Sequence, residues 1–213
     1  MYSITTLPDI IVDIIKTYII FTPKSKKKLI DAVDLWCSDK KNAHKLYGHI
    51  SSWNTKYITD MSYLFSEKEN FDSLISSWDV SNVKDMSFMF KEAKSFNQPL
   101  NKWNVSNVVN MIGMFAFAFK FNRPLNNWNV SNVKAMNCMF GDALNFNKPL
   151  NNWDVRNVTK MSFMFYNSEN FNQTLDIWNV SNVTDMEGMF NTSYSLLPIW
   201  YSDVDYERLK NLN

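Results

Sequence analysis

Six tryptophans, Trp53, Trp78, Trp103, Trp128, Trp153 and Trp178, stand 25 residues apart without exception. A fixed period of roughly 20–50 residues marks an architecture of stacked repeats. Other residues keep phase with the tryptophans. Val80, Val105, Val130, Val155 and Val180 follow two residues later, and Val83, Val108, Val133, Val158 and Val183 three beyond those. A methionine pair comes next (Met86/Met89 through Met186/Met189), each pair followed at once by phenylalanine, Phe90 through Phe190. A second phenylalanine precedes Asn or Asp, from Phe71-Asp72 to Phe171-Asn172, and Pro-Leu pairs at Pro99, Pro124 and Pro149 lead into the next tryptophan.

Within a unit the periodicity changes. Val83, Met86, Met89, Phe90 and Ala93 fall on one face of a helical segment, with Ser81 or Asn82 placed to cap it. Trp-Asn-Val alternates apolar and polar, as a short half-buried strand does. "LNKWNVSNV", Leu100 to Val108, has the shape L-x-x-W-x-V-x-N, close to the leucine-rich-repeat template. The reading is α/β: a leucine-rich-repeat-like solenoid of about six 25-residue repeats, each a short parallel strand plus a helical segment, behind an α-helical N-terminal cap. A single unit cannot fold alone. Its few apolar side chains give roughly 1.5–3 kcal/mol each when buried, against roughly 1–2 kcal/mol per residue of backbone ordering. Stacking lets each unit bury its neighbours' Trp, Met and Phe.

The run "MSFMFKEAKSFNQPLNKWNVSNV", Met86 to Val108, resembles the repeat of the BspA-like leucine-rich-repeat surface proteins and of mycoplasma lipoproteins, a type found also in protists and large DNA viruses. "LIDAVDLWCSDKKNAHKLYGHISSWN" is similar to the segment that introduces such arrays. The resemblance implies a binding solenoid, often at a cell surface. This chain departs from the surface members in lacking a signal peptide or lipoprotein cysteine.

Three segments follow: residues 1–50 as a helical cap, 51–200 as the repeats, and 201–213, with "DVDYERLKNL", as a closing helix. In the cap, Leu7 to Ile19 has helical spacing, a second helix carries Leu29, Val33 and Trp36, and a third, capped by Ser38, carries Ala43, Leu46 and Tyr47 up to Gly48. "LPDIIVDIIKTYI" also looks like the opening of an F-box, a helical adaptor-binding module.

Lys and Arg total 22 against 21 Asp and Glu, so no global field draws nucleic acid or an anionic membrane. The N-terminus, cut by Asp9, Asp13 and Lys16, is neither a signal peptide nor a membrane span. An intracellular protein is expected, with a host cytoplasm or a virion as its setting. Cys37 and Cys138 make no disulfide framework. No Cys/His cluster has metal-ligand spacing, no Gly-rich phosphate loop is present, and no cofactor is expected. Asp60, Asp85 and Asp185 recur at equivalent places, where they suit a helix N-terminus better than catalysis. No enzyme is expected.

What remains is surface. Asp79, Asn104, Asn129, Asp154 and Asn179 lie between inward-pointing Trp and Val and form a candidate protein-binding strand face, bordered by Lys102, Asn127 and Asn152. Phe117 and Phe119 put aromatics where neighbouring repeats have polar groups, either as a partner anchor or as packing against the next repeat. Asn82, Asn107, Asn132, Asn157 and Asn182 read as a ladder satisfying turn backbone. The expected function is non-enzymatic protein–protein binding. The alternatives are an F-box-type substrate receptor of a ubiquitin ligase and a structural subunit of an assembly such as a virus particle, the latter with self-association.

Overall fold

The computed structural model describes residues 20–191 and 197–201. The Leu7–Ile19 helix with its F-box-like reading, and all of the closing segment after Tyr201, lie outside them. Two α-helices open the described chain: α1, Lys26–Ser38, and α2, Lys40–Tyr47, followed by a 3-10 turn at Ile50–Ser52. Ser25 caps α1 by accepting from the Lys28 N–H. Leu29, Ala32, Val33 and Trp36 form its buried stripe. The cap of α2 is Asp39, whose carboxylate accepts from the Asn42 N–H at 3.0 Å, and not Ser38. Ser38 still belongs to α1, and its hydroxyl donates back to the Asp34 carbonyl at 2.8 Å. Gly48 ends α2 at φ 71°, a left-handed conformation that glycine adopts without penalty.

Among the described residues the regular elements are helical and no β-strand forms. The expected α/β leucine-rich-repeat solenoid of BspA-like type is therefore wrong: its units have neither the strand nor the helix. The Trp-Asn-Val segments are irregular. Adjacent units share one isolated parallel bridge, in the series Asp60, Asp85, Asn110, Ala135, Lys160, Asp185.

The helical segment over Val83 to Ala93 is replaced by consecutive turns. Met89, Lys91 and Ala93 N–H donate to the carbonyls of Met86, Phe88 and Phe90 at 3.2, 3.1 and 3.0 Å. Between them Phe88 and Glu92 take φ of 55° and 59°, which an α-helix of L-residues cannot accommodate. The intervening N–H groups of Met86, Phe88, Phe90 and Glu92 point out of the unit. They donate to Asn110, Ile112, Met114 and Ala116 one unit on, at 2.7–2.9 Å. The same pattern runs from Met61 to Asn167. It is a ladder of turns whose N–H groups donate to the next unit, flanked by N–H groups such as those of Lys84, Val109 and Lys134 that donate back to the preceding one.

The core is columnar. Phe65, Phe90, Phe115, Phe140, Phe165 and Phe190 stack at 5.2–5.7 Å with ring planes within 7°. Phe71 through Phe171 form a second column at 5.7–6.0 Å. The methionines are buried beside them. Where tryptophan rings stack, the separation is 6.1–6.5 Å. Ring spacing widens from the Phe65 column to the tryptophans.

Helix α1 covers the first unit. The Lys26 ammonium reaches the Asp60 carboxylate at 2.8 Å and the Ser62 hydroxyl at 2.5 Å. At the far end the Trp200 indole donates to the Leu175 carbonyl at 2.8 Å, so it performs the tryptophan column's task from a shifted position. No helix among the described residues is long and apolar enough to cross a membrane.

Candidate interaction surface

The two sides of a unit are laced to the next by different groups. On the tryptophan side the lacing comes from side chains. Trp78, Trp103, Trp128, Trp153 and Trp178 indoles donate to the carbonyls of Ile50, Ile75, Leu100, Leu125 and Leu150 at 2.8–3.2 Å. Asn82, Asn107, Asn132, Asn157 and Asn182 amides donate to carbonyls of the preceding unit at 2.7–2.8 Å. The asparagine ladder is as the sequence implies.

This side also carries the supposed strand face. With no strand there, Asp79, Asn104, Asn129, Asp154 and Asn179 line an edge of turns. Each carbonyl or carboxylate oxygen accepts the N–H two residues on, from Ser81, Ser106, Ser131, Arg156 and Ser181, at 3.0–3.3 Å. These are Asx turns. Asp154 also takes the Arg156 guanidinium at 2.8 Å. Asn152 donates its N–H to the Asn126 side chain at 2.9 Å, while Lys102 and Asn127 are exposed. The residues do form one stripe, but its oxygens close the local turns.

On the ladder side the lacing is backbone, which frees the side chains to differ. In each unit the positions equivalent to 61, 64 and 65 are buried, and those equivalent to 63, 66 and 67 are exposed or half-buried except at Gly113, Ala116 and Gly141. One outward column reads Tyr63, Phe88, Gly113, Cys138, Phe163, Gly188, all at φ 53–61°. A second reads Glu67, Glu92, Phe117, Asp142, Asn167, at φ 50–62°. Each is the third residue of a turn, where positive φ usually selects glycine or asparagine. Tyr63 stacks on Phe88 at 4.9 Å. A Cβ on Gly113 would lie 2.4 Å from the Phe88 ring, and one on Gly188 would lie 2.5 Å from the Phe163 ring. Each phenylalanine leans one unit forward onto a glycine.

Phe117 is 38% exposed, on the same face as Tyr63 at 57% and Tyr166 at 38%. Phe119 stands edge-on to Phe117 at 6.5 Å, half-buried, with the Lys94 ammonium 6.0 Å from its ring. Sequence reasoning missed Tyr63, Phe88, Phe163 and Tyr166. The trace they leave is glycine alternating with aromatics at 88/113 and 163/188.

The acidic bridge residues do not meet a helix N-terminus. The carboxylates of Asp60, Asp85 and Asp185 accept N–H groups from Ser62, Ser87 and Glu187 at 2.7–3.3 Å. Burial pushes the Cys138 thiol's pKa up, and the nearby Asp142 and Asp185 charges add to it. Both histidines sit in the cap, where burial, then Lys40 and His44, lower the pKa of His49. A groove of about 490 Å³ between α1 and the first unit is lined by Trp36, Cys37, Lys40, Lys68 and Phe71 among others. The Trp36 indole and Ser73 hydroxyl across it are joined at 3.0 Å. Among the described residues no group of three or more His, Cys, Asp or Glu is placed to hold a metal ion.

No curated protein and no solved structure matches this chain. One family does, over residues 38–136 and again over 102–198, so that its two matches together span most of the sequence. The overlapping matches run through the stacked units and the end of the cap. On that span, the chain belongs to the family described as "Mycoplasma protein of unknown function, DUF285".

Proposed function

We propose that this repeat-packed domain is a non-enzymatic protein-binding scaffold that meets its partner through the outward positions of the turn ladder. One observation carries the reading: Tyr63, Phe117 and Tyr166 are exposed on a single face whose backbone is fixed by inter-unit hydrogen bonds. Aromatic side chains bury large area at little entropic cost and are enriched at interface centres. Bulky residues at positive φ are strained, and such strain concentrates at binding surfaces.

Capture from extract with three forms of the full chain tests this. A ladder variant (Tyr63→Ser, Phe117→Asn, Tyr166→Ser) is compared with the unaltered chain and an edge variant (Lys102→Ser, Asn127→Ser, Asn152→Ser). Equal melting temperatures establish that all three fold. The reading expects the ladder variant to lose its captured proteins and the edge variant to keep them. The reverse pattern, or equal capture by all three, overturns it.

A further inference from the structure

The first unit departs from the asparagine ladder. Where later units carry Ser or Arg followed by Asn (Ser81-Asn82 to Ser181-Asn182), it carries Lys56 and Tyr57. A ladder asparagine bonds a carbonyl of the unit before it, and the first unit follows the cap instead. Tyr57 is 48% exposed, with the Lys24 ammonium 3.4 Å and the Lys56 ammonium 4.9 Å from its ring centroid. Beside it opens a pit of about 380 Å³ lined by Lys56, Tyr57, Thr59, Asn82, Lys84 and Asn107. Two ammonium groups, a phenol and a hydroxyl border one cavity, and a third ammonium rests on the ring that forms part of its wall.

No carboxylate lines this pit. The acidic side chains nearest in sequence are engaged elsewhere. Asp60 holds Lys26 at 2.8 Å, and Asp79 accepts the Ser81 N–H and hydroxyl at 3.0 and 2.6 Å. Asp85 takes the Ser87 N–H and the Asn110 amide at 2.7 and 3.1 Å. Among the described residues Lys24, Lys56 and Lys84 have no carboxylate within ion-pair distance. The walls are fixed by hydrogen bonds between units. The Asn82 amide donates to the Lys56 carbonyl at 2.8 Å, the Asn107 amide to the Ser81 carbonyl at 2.7 Å, and the Lys84 N–H to the Thr59 carbonyl at 2.8 Å. Lys24 stands between the buried Pro23 and the Ser25 cap of α1. Like charges held around one cavity repel, and an anion entering it relieves that repulsion.

We propose that this pit binds a phosphate dianion, free or as a monoester, between the Lys56 and Lys84 ammonium groups, with the Tyr57 and Thr59 hydroxyls as further donors. Phosphate brings about two negative charges and several acceptor oxygens, so it meets ammonium and hydroxyl donors at once. A carboxylate carries one charge and would leave a cation uncompensated. A nucleic-acid backbone needs a longer basic track, and the position after Lys84 in its column holds Val109. The pit lies on the asparagine side of the units, so the site is separate from the turn-ladder face and does not depend on the protein-binding reading.

Acetylation of the full chain by an N-hydroxysuccinimide ester near neutral pH, read lysine by lysine by mass spectrometry, tests the assignment. Inorganic phosphate at about 10 mM should slow labelling of Lys56 and Lys84 roughly threefold, the protection of a site with a dissociation constant of about 5 mM. The exposed Lys45 and Lys102 are internal controls and should not change, and acetate at equal ionic strength should protect no lysine. Lys56→Ser with Tyr57→Asn gives the first unit the residues of later ones, so the chain should keep its melting temperature while Lys84 loses protection. Lys84→Gln, at an exposed position, should remove the protection of Lys56 and guards against a folding defect in the double variant. Phosphatidylcholine vesicles containing phosphatidic acid separate the sources. Sedimentation that free phosphate competes away and the double variant lacks places the phosphate on a lipid headgroup. Protection by free phosphate without sedimentation places it on a soluble molecule. No slowing by phosphate, equal slowing by acetate or at Lys45 and Lys102, or unchanged protection in the folded variants overturns the proposal.

Discussion

The tryptophan side and the ladder side of each unit meet the same requirement, a hydrogen-bonded join to the next unit, with opposite chemical means. On the tryptophan side the donors are indoles and carboxamides, so the residue must be Trp or Asn in unit after unit. On the ladder side the donors are peptide N–H groups, which every residue but proline carries. Tyr, Phe, Gly and Cys therefore succeed one another at a single position. Repetition within this chain marks where side chains hold the stack. Variation marks where they are released to face something else.

That contrast can be broken most severely at a tryptophan. Trp128→Ala removes a buried ring and leaves the buried Leu100 carbonyl without its donor. A loss of about 3–5 kcal/mol is expected in urea unfolding. Trp128→Phe, which keeps most of the ring, should cost about 1–3 kcal/mol, the toll of an unsatisfied buried acceptor. A smaller loss would mean the indole bond is not what joins this side.

On the ladder side the largest effect belongs to a glycine. Gly113→Ala places a methyl group against the Phe88 ring at φ 57°, and about 1–2 kcal/mol from the backbone conformation alone is expected. In a Phe88→Ala background the substitution should cost less. A double-mutant cycle with no coupling would show that the ring does not rest on the glycine. Asn132→Ala, at an exposed amide bonded to the Ser106 carbonyl, should cost about 0.5–1.5 kcal/mol.

The smallest effect concerns the cap. Burial works against the Asp60 carboxylate, but the Lys26 ammonium and the Ser62 hydrogen bonds outweigh it and hold its pKa below the usual value. A lowered native pKa gives stability that is present above the unfolded value, about 4. That stability is lost as pH falls through the native one. Melting temperature should therefore drop more steeply on acidification in the unaltered chain than in Asp60→Asn. Parallel curves would remove the pair from the account of how α1 is held.

The core was legible in the sequence because burial constrains residue type: the Trp, Met and Phe columns are buried where periodicity put them. The backbone was not. Apolar residues at steps of three suit a helix, but they suit consecutive turns equally, and only the φ of residues such as Phe88 and Glu92 separates the two. Gly113, Gly188 and Asn167 hint at left-handed backbone there, but the Tyr, Phe, Cys and Glu that share their columns do not. The stripe from Asp79 to Asn179 was placed on a strand, where the structure has turns, for a related reason. Its regularity came from Asx turns, which need an oxygen at every step. Phe117 was legible because it departs from its column.

Because each ladder N–H is handed to a carbonyl one unit ahead, a unit presents the same pattern of donors and acceptors to the neighbours on both sides as any other interior unit does. Excising or duplicating 25 residues from the interior would restore an identical joint. The length of the array is thus a heritable variable separable from its fold, adjustable by in-frame duplication without redesign of the core. The first unit is not interchangeable in this way, because α1 docks on it through the Lys26 ammonium and the Asp60 carboxylate.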